Sequence, residues 1–293
     1  MKKSFILLIC FYGMIMAQSN IEKLTAEIKN KLDSAKGIYG LVYKDLQTGE
    51  NIFYNEKENF HAASTMKTPV MIEVFKQAEE GSFSLDDSIL VKNEFKSIVD
   101  SSLYMMDISE DSGENLYQFI GGKKTIRQLV YDMITVSSNL ATNILIDLVH
   151  AENVMRTMKE IGAENIKVLR GVEDIKAFEK DLNNTTDAFD LMLIFEKIAI
   201  GEIISEKACS EMIDILLNQE FNSRIPALLP SDVKVAHKTG SITGIEHDGG
   251  IVILPDGRKY ILIILSKGIQ GSKLKTNIQA EVSRMIYDYF MCD

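Results

Sequence analysis

Apolar spacing divides the chain into strands at its two ends and helices between them. Gly37 to Lys44 reads Gly-Ile-Tyr-Gly-Leu-Val-Tyr-Lys, Gln47-Thr48-Gly49 is a turn, and Asn51 to Tyr54 returns, which predicts a strand hairpin after a first helix over Ile21 to Ser34. From Thr65 to Gly81 the apolar positions Met66, Val70, Val74 and Ala78 recur every four residues. Met71, Ile72 and Phe75 widen that stripe into a helix buried nearly all round, with Pro69 loosening its opening turns. Lys92 to Gly121 is acidic and weakly periodic, and predicts an irregular excursion over the surface. Thr125-Ile126-Arg127-Gln128 is a capping box that opens a helix through Ile134. After a break at Thr135 to Ser138, helices follow at Asn139 to His150 and at Val154 to Ile161, the latter stopped by Gly162. Lys167 to Thr185 reads as a loop, Thr186 opens a helix that runs to Gly201, and Ser205 opens another through Leu217. Val233 to His237, Gly249 to Leu254 and Lys259 to Ser266 are short, β-branched strands, with Pro255-Asp256-Gly257 turning the last two. An amphipathic helix from about Asn277 to Phe290 closes the pattern.

Strands at both ends must meet in one antiparallel sheet flanked by helices, with the helical block inserted as a second lobe. The expected fold is therefore α+β, with a sheet lobe over about residues 18–60 and 220–293 and a helical lobe over about 61–219. A cleft between the lobes is the default ligand site. Residues 1–17 stand apart: Lys2 and Lys3 are followed by an apolar run from Phe5 to Met16, then Ala17 and the polar Gln18-Ser19-Asn20. That predicts a secretory signal peptide cleaved after about Ala17, and a periplasmic or secreted product. A lipoprotein reading through Cys10 is weaker, because the apolar stretch before it is short. No later run reaches the ~18 apolar residues of a membrane span.

Composition narrows the function. The chain of 293 residues is 46% hydrophobic and 25% charged, with four Pro and no Trp, which excludes disordered, collagen-like and cysteine-stapled classes. Its 32 Lys and Arg against 42 Asp and Glu leave a net charge of −10, which argues against a nucleic-acid partner and for a small molecule; a monomer is expected. Cys209 and Cys292 read as buried free thiols rather than a disulfide framework. The four histidines, His61, His150, His237 and His247, lack metal-ligand spacing, so neither a metal nor a cofactor is expected.

Three short patterns carry the chemistry: Ser64-Thr65-Met66-Lys67, Ser137-Ser138-Asn139 and Lys238-Thr239-Gly240. The first alone proves little, since Ser272-Lys273-Leu274-Lys275 also fits Ser-x-x-Lys. Ser64 differs in its setting. Positions i and i+3 share a helix face, so Lys67 Nζ can approach Ser64 Oγ, and a helix start favours developing negative charge. A lysine desolvated near a second cation can lose its proton near neutral pH and act as a base. Ser137-x-Asn139 falls at a helix–helix break, and Lys238-Thr239-Gly240 at the end of a strand.

In type, chain order and setting the trio resembles the class A β-lactamases and the wider family of penicillin-recognising serine hydrolases. The likeness spans nearly all the chain beyond residue 17, and His237-Lys238-Thr239-Gly240-Ser241 with His247-Asp248 strengthens it. The resemblance implies Ser64 as the acylated nucleophile, Lys67 as its base or proton relay, and Ser137 as donor to the leaving β-lactam nitrogen. It also implies that Asn139 binds the substrate's amide side chain and that Lys238 and Thr239 hold its carboxylate. The backbone N–H groups of Ser64 and Ser241 would form the oxyanion hole, where one donor is typically worth ~3 kcal/mol. Two departures stand out. The family's middle motif usually carries Asp at its second position, mainly as a structural group, where this chain has Ser138. The family's Arg-x-Glu-x-x-Leu-Asn loop, whose glutamate activates the deacylating water, has no complete match. Arg170-Gly171-Val172-Glu173 and Glu179-Lys180-Asp181-Leu182-Asn183 each supply part of it, with Glu173 preferred. The resemblance thus implies a β-lactamase. A D-alanyl-D-alanine peptidase or penicillin-binding protein that deacylates slowly, a non-catalytic β-lactam sensor and a generic esterase are the alternatives. The bulk of Lys92 to Gly121 adds some weight to the peptidase.

Overall fold

The computed structural model describes residues 20–269 and 278–291. The expected signal peptide, Cys10, Cys292, the Ser272 to Lys275 pattern and Asn277 lie outside the described residues. Five strands make the central sheet: β1 (Ile38–Asp45), β2 (Asn51–Tyr54), β3 (Lys234–Ile242), β4 (Ile245–Ile253) and β5 (Lys259–Lys267). Their order is β2-β1-β5-β4-β3, antiparallel throughout. The β1–β5 pairing, with Ile38 opposite Lys267 and Asp45 opposite Tyr260, joins the two ends of the chain in one sheet.

Side-chain alternation sends Leu41, Tyr43, Leu262 and Ile264 to one face, and Val42, Ile261, Ile263 and Leu265 to the other. Both faces are covered, which is why Tyr260 to Leu265 reads as an unbroken apolar run. Helix α1 (residues 20–34) covers the first face with Leu24, Ile28 and Leu32, alongside Val282, Ile286 and Phe290 of the final helix, Ile278–Phe290. The helical block covers the second: α2 (Lys67–Glu79), α3 (Ile126–Thr135), α4 (Asn139–Val149), α5 (Ala151–Ile161), α6 (Ile175–Glu179), α7 (Ala188–Ala199) and α8 (Glu206–Leu216). The mixed α+β architecture agrees with the order of elements along the sequence.

Local signals explain several boundaries. Thr125 and Gln128 form both halves of the capping box that starts α3, and Ser205 caps α8 through the Ala208 N–H. Pro69 is the third residue of α2, within the first turn, where proline is tolerated. The cap of α7 is Asp187, not Thr186, which pairs with Phe60 in a short ladder; α5 starts earlier than Val154, at Ala151.

Three further expectations are corrected. Lys238-Thr239-Gly240 lies inside β3 and not at its end, because the β3–β4 pairing continues to Ile242 opposite Ile245. The Lys167 to Thr185 loop contains α6, started by Asp174 accepting from the Ala177 N–H. The Lys92 to Gly121 excursion is not confined to the surface, for Phe95, Met106, Asp111 and Leu116 are buried. Two 3₁₀ turns there, Ile108–Glu110 and Glu114–Phe119, leave no 3.6-residue stripe to read.

Candidate active site

Ser64 sits half-buried in a 3₁₀ turn, Ala63–Met66, that leads directly into α2. Its turn lies against β3. A Cβ on Gly240 would come within 3.1 Å of the Ser64 backbone N and 3.2 Å of Ala63 Cβ, so a larger residue would push the turn and the strand apart by a few tenths of an ångström. That approach brings the Ser64 N–H beside the residues following Lys238 and Thr239.

Lys67 opens α2 and is fully buried. Its ammonium donates to three acceptors across the cleft: the Ser137 carbonyl at 2.7 Å, Ser137 Oγ at 3.1 Å and Asn139 Oδ1 at 2.9 Å. Lys238, 1% exposed, reaches the same hydroxyl from the opposite side, donating to Ser137 Oγ at 3.1 Å and to the Thr239 carbonyl at 3.0 Å. One serine hydroxyl therefore stands between two buried amines. Ser64 Oγ has no hydrogen-bond partner among the described residues, so the i, i+3 spacing places Lys67 near the serine without pairing them in this state.

The electrostatics follow from burial. Desolvation lowers the Lys67 pKa to about 7, although Asp111 and Glu173 pull it upward. Burial, then the neighbouring Lys67 charge, drives Lys238 well below the usual lysine range. Glu173 is raised, mainly by its own burial. Its Oε1 accepts from Asn139 Nδ2 at 3.0 Å and its Oε2 from the Asp107 N–H at 3.1 Å. The Asn139 amide thus links Lys67 on one side to Glu173 on the other. Three of the seven described non-glycine residues with positive φ are Ala63, Ser137 and Glu173, at 43°, 58° and 61°. Such conformations each cost on the order of 1–3 kcal/mol and persist where surrounding contacts over-determine them, a pattern characteristic of functional sites.

Lys67, Ser137, Asn139, Glu173 and Lys238 are therefore joined by hydrogen bonds into one cluster, and the Ser64 turn packs on β3 at Gly240, next to Thr239. Ser241 is exposed on β3 beyond Gly240, and Glu179 is exposed at the far end of α6. Sequence reasoning missed three contributors. Arg224 donates to Ser241 Oγ at 2.5 Å and to the His247 carbonyl at 3.2 Å, adding a guanidinium beside Ser241. Asn143 on α4 pairs with both backbone groups of Val172, accepting from its N–H at 2.7 Å and donating to its carbonyl at 3.0 Å, and so holds the residue next to Glu173. Asp111 accepts from the first N–H groups of α4. No short pattern surrounds Arg224 or Asp111. Asn143 lies four residues after Asn139 on the same helix, the one signal that could have found it.

Behind β3, His237 Nδ1 meets Asp248 Oδ1 at 2.7 Å, and Asp248 Oδ2 accepts from the Ile225 N–H at 3.0 Å. His247 accepts from the Ser266 N–H at Nδ1 (3.1 Å), so its Nε2–H donates to the His61 carbonyl (2.8 Å); burial lowers its pKa to about 4 and keeps it neutral. Both histidines brace strands and neither opens to the cleft. Cys209 is buried and free.

The fold is that of the β-lactamase and penicillin-binding protein structures. The sequence model of the Beta-lactamase enzyme family matches residues 23–290, and the chain belongs to that family. It is similar to a beta-lactamase of Bacteroides uniformis, 24% identical over 98% of this chain and 99% of that protein. The beta-lactamase VEB-1 of Pseudomonas aeruginosa is 20% identical over 98% and 96%. Among solved structures, PBP-A superposes with a TM-score of 0.80 at 27% identity, covering 92% of this chain and 97% of that one. A beta-lactamase from Sphaerobacter thermophilus superposes at 0.79 with 24% identity, over 91% and 97%. No helix among the described residues is long and apolar enough to cross a membrane.

Proposed function

We propose that the protein is an exported serine hydrolase that opens the β-lactam ring through a Ser64 acyl-enzyme and then hydrolyses it. The observation that carries this reading is the Ser137 hydroxyl held at 3.1 Å from both Lys67 and Lys238 beside the Ser64 turn. With its pKa lowered to about 7, Lys67 is substantially neutral at neutral pH and takes the Ser64 Oγ proton as the oxygen attacks the lactam carbonyl. The N–H groups of Ser64 and Ser241 receive the developing oxyanion. Ser137 Oγ gives its proton to the departing ring nitrogen and is resupplied from Lys67, 3.1 Å away. A substrate carboxylate at Lys238, Thr239 and Arg224 pulls the Lys238 pKa upward, against the burial that lowers it. Asn139 Oδ1 keeps a second lone pair for a substrate amide N–H.

Glu173 then orients and deprotonates the hydrolytic water. Its hydrogen bond to Asn139 supports this role over Glu179, which is exposed on α6. A point variant of the neighbour PBP-A was solved as an acyl-enzyme complex with penicillin G, which supports acyl transfer on this fold. Likeness to PBP-A also favours one second reading, a peptidase that acylates and stalls. Intact-protein mass spectrometry after rapid mixing with penicillin G separates the two. The wild type should gain the drug's mass and return to its own within seconds to minutes, while Ser64→Ala never gains it. A wild type without adduct, or an equally labelled Ser64→Ala, overturns the hydrolase reading; a persistent wild-type adduct selects the peptidase.

A further inference from the structure

The middle motif of this chain lacks the carboxylate its family usually carries at the second position, yet a carboxylate from another segment meets the start of α4 beside it. Asp111, only 3% exposed, comes from the segment between two 3₁₀ turns, and it reaches the start of α4 from outside. Its Oδ1 accepts from the Asn139 N–H at 2.9 Å and the Gly113 N–H at 2.8 Å. Its Oδ2 accepts from the Leu140 N–H at 2.8 Å, the Tyr117 hydroxyl at 3.2 Å and, more distantly, Ser138 Oγ at 3.4 Å. Ser138 itself caps the helix through the Ala141 N–H at 3.2 Å. Two residues thus divide the first free N–H groups of α4, where negative charge is favoured. Gly113 is packed against the serine so closely that a Cβ there would lie 2.4 Å from Ser138 Cβ. The short side chain at 138 and the carboxylate at 111 are fitted to each other.

We infer that Asp111 is a positioning residue for the Ser137-Ser138-Asn139 turn, supplying from a separate segment the carboxylate that position 138 supplies elsewhere in the family. Through the Asn139 N–H it fixes the residue whose side chain joins Lys67 to Glu173, and with that the positive-φ conformation of Ser137. It also lends negative charge to Lys67, which faces Asp111 and Glu173 as anions and Lys238 as a cation. The catalytic consequence rests on the function proposed above; the placement of the turn does not.

The test exchanges the two side chains. Asp111→Ser should slow acylation by penicillin about ten- to a hundredfold, the range for hydrogen bonds to a buried charge. Ser138→Asp alone should also slow it, because it sets a second carboxylate against the first. The double exchange, Asp111→Ser with Ser138→Asp, should return to within about threefold of wild type, since it leaves one carboxylate at the turn. In Asp111→Ser the acid limb of acylation should move to lower pH, as Lys67 loses an anion, and it should return in the double variant; a merely structural lesion lowers the plateau without moving the limb. A substrate-free readout runs beside these. Amide exchange at Asn139 and Leu140 should accelerate in Asp111→Ser and recover in the double exchange. An Asp111→Ser variant with wild-type exchange, or a double variant no better than the product of the singles in both readouts, overturns the inference. A wild type that never acylates overturns the hydrolase reading instead and leaves the exchange readout to decide this one.

Discussion

On one side of Ser64 the chemistry-bearing groups stand on long regular elements: Lys67 in the first turn of α2, Lys238 inside β3, both buried and neighboured by paired backbone. On the other side Glu173 and Asp111 come from segments of short turns, held by a few side-chain-to-backbone bonds such as Asn143 to Val172 and Asp111 to Asn139. The first side derives its chemistry from exclusion of water, which depresses two amines at once. The second derives it from the placement of carboxylates against N–H groups that hold them in position. The regular side should govern whether an acyl-enzyme forms, and the irregular side how long it lasts and how well the turn at Ser137 is held.

The sharpest way to break this division is Glu173→Gln, which keeps shape and removes the base. Deacylation should slow ~10²–10⁴-fold while acylation persists, so the adduct accumulates in the mass spectrum. Glu179→Gln should behave like wild type, and exchanged phenotypes would move the role to Glu179. On the regular side, Lys238→Ala should lower kcat/KM about ten- to a hundredfold with a raised KM, because carboxylate binding serves ground and transition states alike. Steady-state kinetics with an unchanged kcat/KM would remove Lys238 from the site. The smallest effect is that of pH near neutrality. Lys67 must be neutral to accept a proton, and its pKa is lowered to about 7. Stopped-flow acylation should therefore be half-maximal near that pH and fall about tenfold per unit below it. A limb near the ordinary lysine value would mean that water reaches Lys67.

What can be read without the fold is whatever the chain writes locally. The every-fourth-residue stripe of α2, the Thr125–Gln128 box and the β-branched runs of β1 and β5 each report contacts among near neighbours, and the structure contains them. Ser64, Lys67, Ser137, Asn139, Lys238 and Thr239 are legible because each lies in a short pattern whose members are a turn or a strand step apart. The interior of β3 is not legible at Gly240 and Ser241, since a glycine that admits the Ser64 turn looks in sequence like a strand end.

Tertiary structure alone decided the rest. Asp111 and Asn139 are 28 positions apart, Asn139 and Glu173 are 34, and Lys67 and Ser137 are 70, beyond the reach of any periodicity. The sequence by itself determined the helices, the strands and the short motifs, because helix and strand geometry acts over a few residues; the roles of nucleophile, base and carboxylate ligand came from the resemblance those motifs carry. Which glutamate meets Asn139, which aspartate caps α4 and how far burial lowers the two lysines depend on which segments are brought together and how much water they exclude. Desolvation and hydrogen bonding act between whatever groups become neighbours in space, and only the packed chain determines those neighbours.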